Sequence, residues 1–121
     1  MNKKRLLIVD DDSRNIFALV NTLRARSFEC LSCLSAEEAL KILSSDEIID
    51  AVLIDMMMPE MDGYEAIPLI KKIVAKKTLF IVAVTAQAMP GDKEKCLEAG
   101  ADDYISKPVD VDKLLSILSK I

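Results

Sequence analysis

The chain has 121 residues, 51% of them apolar, with 16 basic and 20 acidic side chains and a net charge of -4. That length suits one domain, residues 1–121, able to bury a core of its own. The acidic balance argues against a nucleic-acid surface, and no run approaches the roughly 20 apolar residues needed to cross a bilayer, so neither nucleic acid nor a membrane is an expected partner.

The basic start Lys3-Lys4-Arg5 leads into only four apolar residues before three aspartates, short of the roughly 7 to 15 of a secretory signal. The chain is therefore expected in the cytoplasm. It has no histidine, which removes histidine triads and most zinc sites. Cys30, Cys33 and Cys96 are too few and too oddly spaced for a disulfide framework and are expected to be reduced thiols used as small hydrophobes.

In chain order, Leu6-Leu7-Ile8-Val9 reads as a buried strand that ends at Asp10 and Asp11. Ile16, Leu19, Val20 and Leu23 then recur at helical spacing, predicting a helix from about Ser13 to Arg26 with Asp12 or Ser13 as its cap. Phe28 to Leu34 reads as a second strand, less apolar and so nearer a sheet edge. Residues three apart on a strand face opposite ways, so Cys30 and Cys33 cannot meet as a redox pair there. Ser35 and Glu38 form a capping box for a second helix that buries Ala36, Ala39, Leu40 and Leu43.

A third strand, Ile49 to Ile54, ends at Asp55. After it, Asp62 caps a third helix with Glu65 in its third position, burying Ala66, Ile67, Ile70, Ile73 and Val74. Pro68 removes a backbone hydrogen bond at a cost of about 3 kcal/mol, so this helix is expected to begin late or to kink. Leu79 to Val84 is the most apolar strand, expected in the sheet interior, and it ends at Thr85. A fourth helix has Pro90 in its first turn and Gly100 as its left-handed stop. Its apolar anchors are only Cys96, Leu97 and Ala99, so it should move cheaply. Asp103 to Ile105 is a short fifth strand leading to Lys107-Pro108. The last helix buries Val111, Leu114, Leu115 and Leu118 and leaves Ile117 and Ile121 as candidate partner contacts.

Five strands alternating with five helices imply a parallel sheet covered on both faces. Asp10, Asp11, Asp55, Thr85 and Lys107 would then share the carboxyl ends of its strands, where open α/β folds bind ligands. Two ionised carboxylates about 5 Å apart repel by roughly 3 kcal/mol at an effective dielectric of 20, so the three acids call for protons or a cation. A hard divalent ion such as Mg²⁺ takes one or two carboxylates and leaves room for a phosphoryl oxygen. Asp55 is the candidate nucleophile for an aspartyl phosphate, with Lys107 neutralising charge on the phosphoryl oxygens and Thr85 donating its hydroxyl once phosphate is present. With three glycines in all, no glycine-rich phosphate loop is available.

As a set, these residues resemble the receiver domains of two-component response regulators, and the resemblance covers essentially the whole chain. It implies a flavodoxin-like doubly wound fold with strand order 2-1-3-4-5 and a Mg²⁺-dependent phosphorylation switch. Asp10 and Asp11 resemble the family's metal-binding acids and Asp55 its phosphorylation site. Thr85 resembles its switch hydroxyl, Lys107 its amine and Tyr104 its rotating aromatic. Asp55 to Met58-Pro59 and Met61-Asp62-Gly63 match its loop motif. The resemblance further implies a metal contact from the Met57 carbonyl, a phosphate contact from the Ala86 amide, a cis Lys107-Pro108 bond, and positions Met57 and Gln87 that tune phosphate lifetime. The implied partners are a histidine kinase or histidine phosphotransfer protein as donor and a downstream protein or output domain, reached through the surface of the fourth helix, fifth strand and fifth helix. A monomer or a phosphorylation-linked dimer fits equally. Its only catalysis would be its own phosphorylation and autodephosphorylation.

Two other classes compete. In a haloacid dehalogenase-type phosphatase, Asp10-x-Asp12-Ser13 would be the first motif, but Lys107 would follow the acidic pair Asp102-Asp103 instead of preceding it, and Asp55 would be idle. An interaction module with a dead site would need a defect that these residues do not display.

Overall fold

A computed structural model describes residues 3–73, 79–86 and 89–121. Strands and helices alternate as β1 (Arg5–Val9), α1 (Ser13–Arg24), β2 (Glu29–Cys33), α2 (Ala36–Ser44), β3 (Ala51–Asp55), α3 (Gly63–Ile73), β4 (Phe80–Thr85), α4 (Asp92–Ala99), β5 (Asp103–Ser106) and α5 (Val111–Leu118). The strands form one parallel sheet in the order β2-β1-β3-β4-β5, the expected flavodoxin-like arrangement with β2 at an edge and β4 inside.

Side chains alternate across a strand, and here both faces are apolar, so the sheet separates two cores. Leu7, Val9, Val52, Ile54, Ile81 and Ala83 face α2, α3 and Cys96 of α4. Leu6, Ile8, Leu53, Val82, Val84 and Ile105 face α1 and α5. Cys33 belongs to the first core and Cys30 to the second, so the two sulfurs lie on opposite sides of the sheet and the redox-pair reading fails for the reason expected.

Several helix ends differ from expectation. Regular α1 stops at Arg24, two residues early, because the last turn closes on Ser27 at φ 71°, with Ser27 N–H bonding Arg24 O and Phe28 N–H bonding Leu23 O. Asp12, not Ser13, is its cap, accepting from Arg14 N–H at 2.9 Å. α3 does not begin late. It starts at Gly63 behind a reciprocal capping box, in which Asp62 Oδ1 accepts from Glu65 N–H at 2.9 Å and Glu65 Oε1 accepts from Asp62 N–H at 3.4 Å, and Pro68 is placed on its exposed side. Val74, expected in its core, lies outside the described residues.

Pro90 precedes α4 instead of sitting in its first turn, because Gly91, at φ 93°, is the N-cap. Gly100 is the left-handed stop as expected, at φ 118°, and Cys96 is the one α4 residue fully buried. The α5 seam is rotated from the predicted one, with Leu114, Ile117 and Leu118 buried and Leu115 only partly so. Ile117 is a core residue and Ile121 packs against the same core, so the expectation that they contact a partner is overturned. The helix starts at Val111 behind Asp110, and the i, i+3, i+4 seam from Leu114 points at the sheet.

Candidate functional site

Strand register brings the polar residues level. Val9 pairs with Ile54, Asp55 pairs with Val84, and Thr85 pairs with Ser106, so Asp10, Asp55, Thr85 and Lys107 all emerge at the carboxyl ends of adjacent strands. Three of them, Asp10, Asp55 and Thr85, are the buried polar residues among those described. Asp11 lies outside the core and is exposed.

Each buried carboxylate is held by a backbone amide two residues on. Asp12 N–H donates to Asp10 Oδ1 and Met57 N–H to Asp55 Oδ1, both at 2.9 Å. Lys107 Nζ then closes the group, donating to Asp55 Oδ2 at 2.9 Å and lying 3.6 Å from Asp10 Oδ2. Lys107 is itself positioned by its own N–H, bonded to Thr85 O at 2.7 Å, and its bond to Pro108 is cis as the resemblance implied. Carboxylate oxygens of Asp10, Asp11 and Asp55 lie within 4.8 Å of one another.

Burial pushes the Asp10 carboxyl up, as do the charges of Asp55 and Asp11, while the Asp12 amide and Lys107 oppose the rise. Burial would lower the Lys107 ammonium, but its hydrogen bond to Asp55 and the charges of Asp55 and Asp10 prevail and hold it above the usual lysine value. Three acids facing one ammonium leave negative charge that a hard divalent cation would offset, and oxygen donors this close are the set such an ion takes. The residues therefore fit Mg²⁺.

Ala86 follows Thr85 and is exposed, and the Met57 side chain is exposed. Tyr104 is partly buried against the α2–α3 core. Gln87 lies outside the described residues. Asp12, part of the first motif in the phosphatase reading, caps α1, and Asp55, idle in that reading, is the group Lys107 engages.

Sequence reasoning missed two features. Aspartates outside the site fasten strand starts, with Asp50 Oδ2 accepting from Arg5 N–H and Asp102 Oδ2 from Ile81 N–H, both at 2.8 Å. A cavity of about 490 Å³ also opens beside Asp55 and Lys107, walled by Asn15, Ala18 and Thr22 of α1 and by Pro108 and Val109. No local pattern could signal either, because both depend on segments brought together by the sheet.

Residues 6–119 match the family model described as the response regulator receiver domain. Sensor histidine kinase RcsC of Salmonella typhi is 39% identical over 94% of this chain but only 12% of the kinase, so the chain spans a small part of that relative's length. Two-component response regulator ORR11 of Oryza sativa subsp. indica is 33% identical over 92% of this chain and 78% of that protein. Among solved structures, a putative response regulator from Chloroflexus aurantiacus J-10-fl has a TM-score of 0.90 and 34% identity, covering 98% of this chain and 97% of that one. The receiver domain of sensor histidine kinase PA1611 from Pseudomonas aeruginosa PAO1, solved with a magnesium ion coordinated in its active site cleft, has a TM-score of 0.84 and 30% identity over 98% of this chain and 97% of that one.

Proposed function

The chain belongs to the response regulator receiver domain family, and on that premise we propose that it is a phosphorylation switch with Asp55 as its phosphoryl acceptor. The observation that carries this reading is the buried Asp55 carboxylate, bonded to Lys107 Nζ at 2.9 Å and sharing a cluster with Asp10 and Asp11. An oxygen of Asp55 attacks phosphorus, the bond from phosphorus to the donor breaks, and its electron pair leaves with the donor. The donor is the phosphohistidine of a histidine kinase or phosphotransfer protein, or a small acyl phosphate; this chain supplies no histidine of its own.

Asp10, Asp11, Asp55 and the Met57 carbonyl would hold Mg²⁺, which when bound supplies charge neutralisation for the phosphoryl oxygens. Lys107 moves from pairing with Asp55 and Asp10 to sharing its charge with those oxygens. The Thr85 hydroxyl and Ala86 amide donate to them as well. Tyr104 follows Thr85, and the surface of α4, β5 and α5 changes for a downstream protein or output domain. Met57 and, by its place in the sequence, Gln87 set how readily water reaches the acyl phosphate.

Incubation with acetyl phosphate and Mg²⁺, followed by intact-mass measurement, tests the reading. One phosphoryl increment on the wild type and none on Asp55→Asn is expected. A wild type that stays unmodified, or an Asp55→Asn variant that gains the same increment, would reject it.

A further inference from the structure

Three consecutive methionines follow Asp55, and their burial alternates: Met56 is 0% exposed, Met57 59% and Met58 8%. Met56 and Met58 pack in the α2–α3 core. Met57 is turned out, while its N–H stays bonded to Asp55 Oδ1, so an exposed thioether is rooted beside the acceptor carboxylate. It lines a cavity of about 530 Å³ together with Tyr64, Asp92, Lys95 and Glu98, which gives a small polar oxidant a way in.

The thiols do not compete for such an oxidant. Cys30, Cys33 and Cys96 are all buried, and burial pushes each thiol up, Cys33 to about 11, leaving little of the thiolate that reacts. Among the described residues, the exposed methionine side chains are Met57 and Met89, with Met61 partly buried.

We propose that Met57 is an oxidation-sensitive modification site whose substrate class is a peroxide, and that its sulfoxide shortens the life of the phosphoryl group on Asp55. This rests on the reading of Asp55 as acceptor. A sulfur lone pair attacks one peroxide oxygen; the O–O bond breaks as the S–O bond forms. Sulfur is oxidised by two electrons, and the other oxygen is reduced and leaves, with the proton, as water or an alcohol. The product is chiral and polar and can be reduced back. A thioether accepts hydrogen bonds only weakly, whereas a sulfoxide oxygen accepts strong ones, from water or from Lys95 across the cavity, and opens the acyl phosphate to hydrolysis.

The test treats the folded protein with hydrogen peroxide, removes the oxidant, maps sulfoxides by peptide mass spectrometry, loads phosphate from acetyl phosphate and Mg²⁺, and follows its loss. Met57 is expected to oxidise ahead of Met56 and Met58, and loss to quicken about fivefold, the rate equivalent of one hydrogen bond. Met89→Leu should keep this response and Met57→Leu should lose it, decaying alike before and after peroxide. Met57→Gln should decay faster than Met57→Leu with no peroxide at all. A Met57 that resists oxidation, a Met57 sulfoxide with unchanged decay, or a Met57→Leu protein that still responds would overturn the proposal. Failure of the untreated wild type to take up phosphate would instead remove the acceptor reading, and this proposal with it.

Discussion

Cys33 shows how burial controls single-residue chemistry here. Its sulfur sits in the α2–α3 core, and burial pushes the thiol up to about 11 from an ordinary 9.0. A proton retained in the folded state but released by the unfolded chain makes stability fall with pH. The contribution is complete below pH 9.0 and disappears as pH rises toward about 11. Urea titrations of wild type and Cys33→Ala across that window should show a steeper alkaline loss in the wild type; parallel curves would mean that another group governs it. Lys107 is the opposite case, a partly buried cation kept charged because Asp55 and Asp10 outweigh its desolvation. The types of these residues are plain in the sequence. Their perturbations are not, since each arises from neighbours far along the chain.

At the scale of elements, the loop from Asp55 to α3 is drawn tight by Gly63. Its N–H bonds Met56 O at 3.3 Å, and a Cβ at this position would come within 2.9 Å of Met56 Cα, with the Met56 sulfur closer still. Because Met56 is wholly buried, neither partner can yield cheaply. Gly63→Ala should cost about 1–3 kcal/mol, read as a lowered urea midpoint at unchanged slope; an unmoved midpoint would show that the loop can relax. α4 presents the reverse condition. It has one fully buried side chain, Cys96, and no side-chain cap at its start. Its amides should exchange with solvent well before those of β3, whose five residues are all buried. Equal protection in hydrogen-exchange mass spectrometry would contradict that ranking. Capping boxes were the most legible signals at this scale, because a cap depends on residues three apart. The α5 seam was misread at Leu115 and Ile117 because the two are equally apolar, and only packing against the sheet decides between them.

For the whole molecule, the parallel sheet converts separation along the chain into adjacency, and in doing so concentrates charge. Asp10 and Asp55 lie 45 residues apart in the numbering yet share one lysine. If the acids hold Mg²⁺, the ion stabilises the fold by mass action, by about 2.7 kcal/mol at a hundredfold excess over its dissociation constant. Thermal melts should therefore rise with Mg²⁺ in the wild type and rise less in Asp11→Asn, an exposed position where substitution leaves the core intact. Equal rises would place the ion elsewhere.

Local chemistry alone determined the succession of five strands and five helices, the parallel sheet they require and the polar residue at the end of four of the strands, because periodicity, caps and apolar runs are written within a few residues. Tertiary structure decided which side of each helix is buried, which carboxylate Lys107 grips, that Met57 turns outward between two buried methionines, and that a cavity opens between α1 and the segment after β5. These depend on distances between segments that meet only when the sheet closes, and no stretch of sequence contains them.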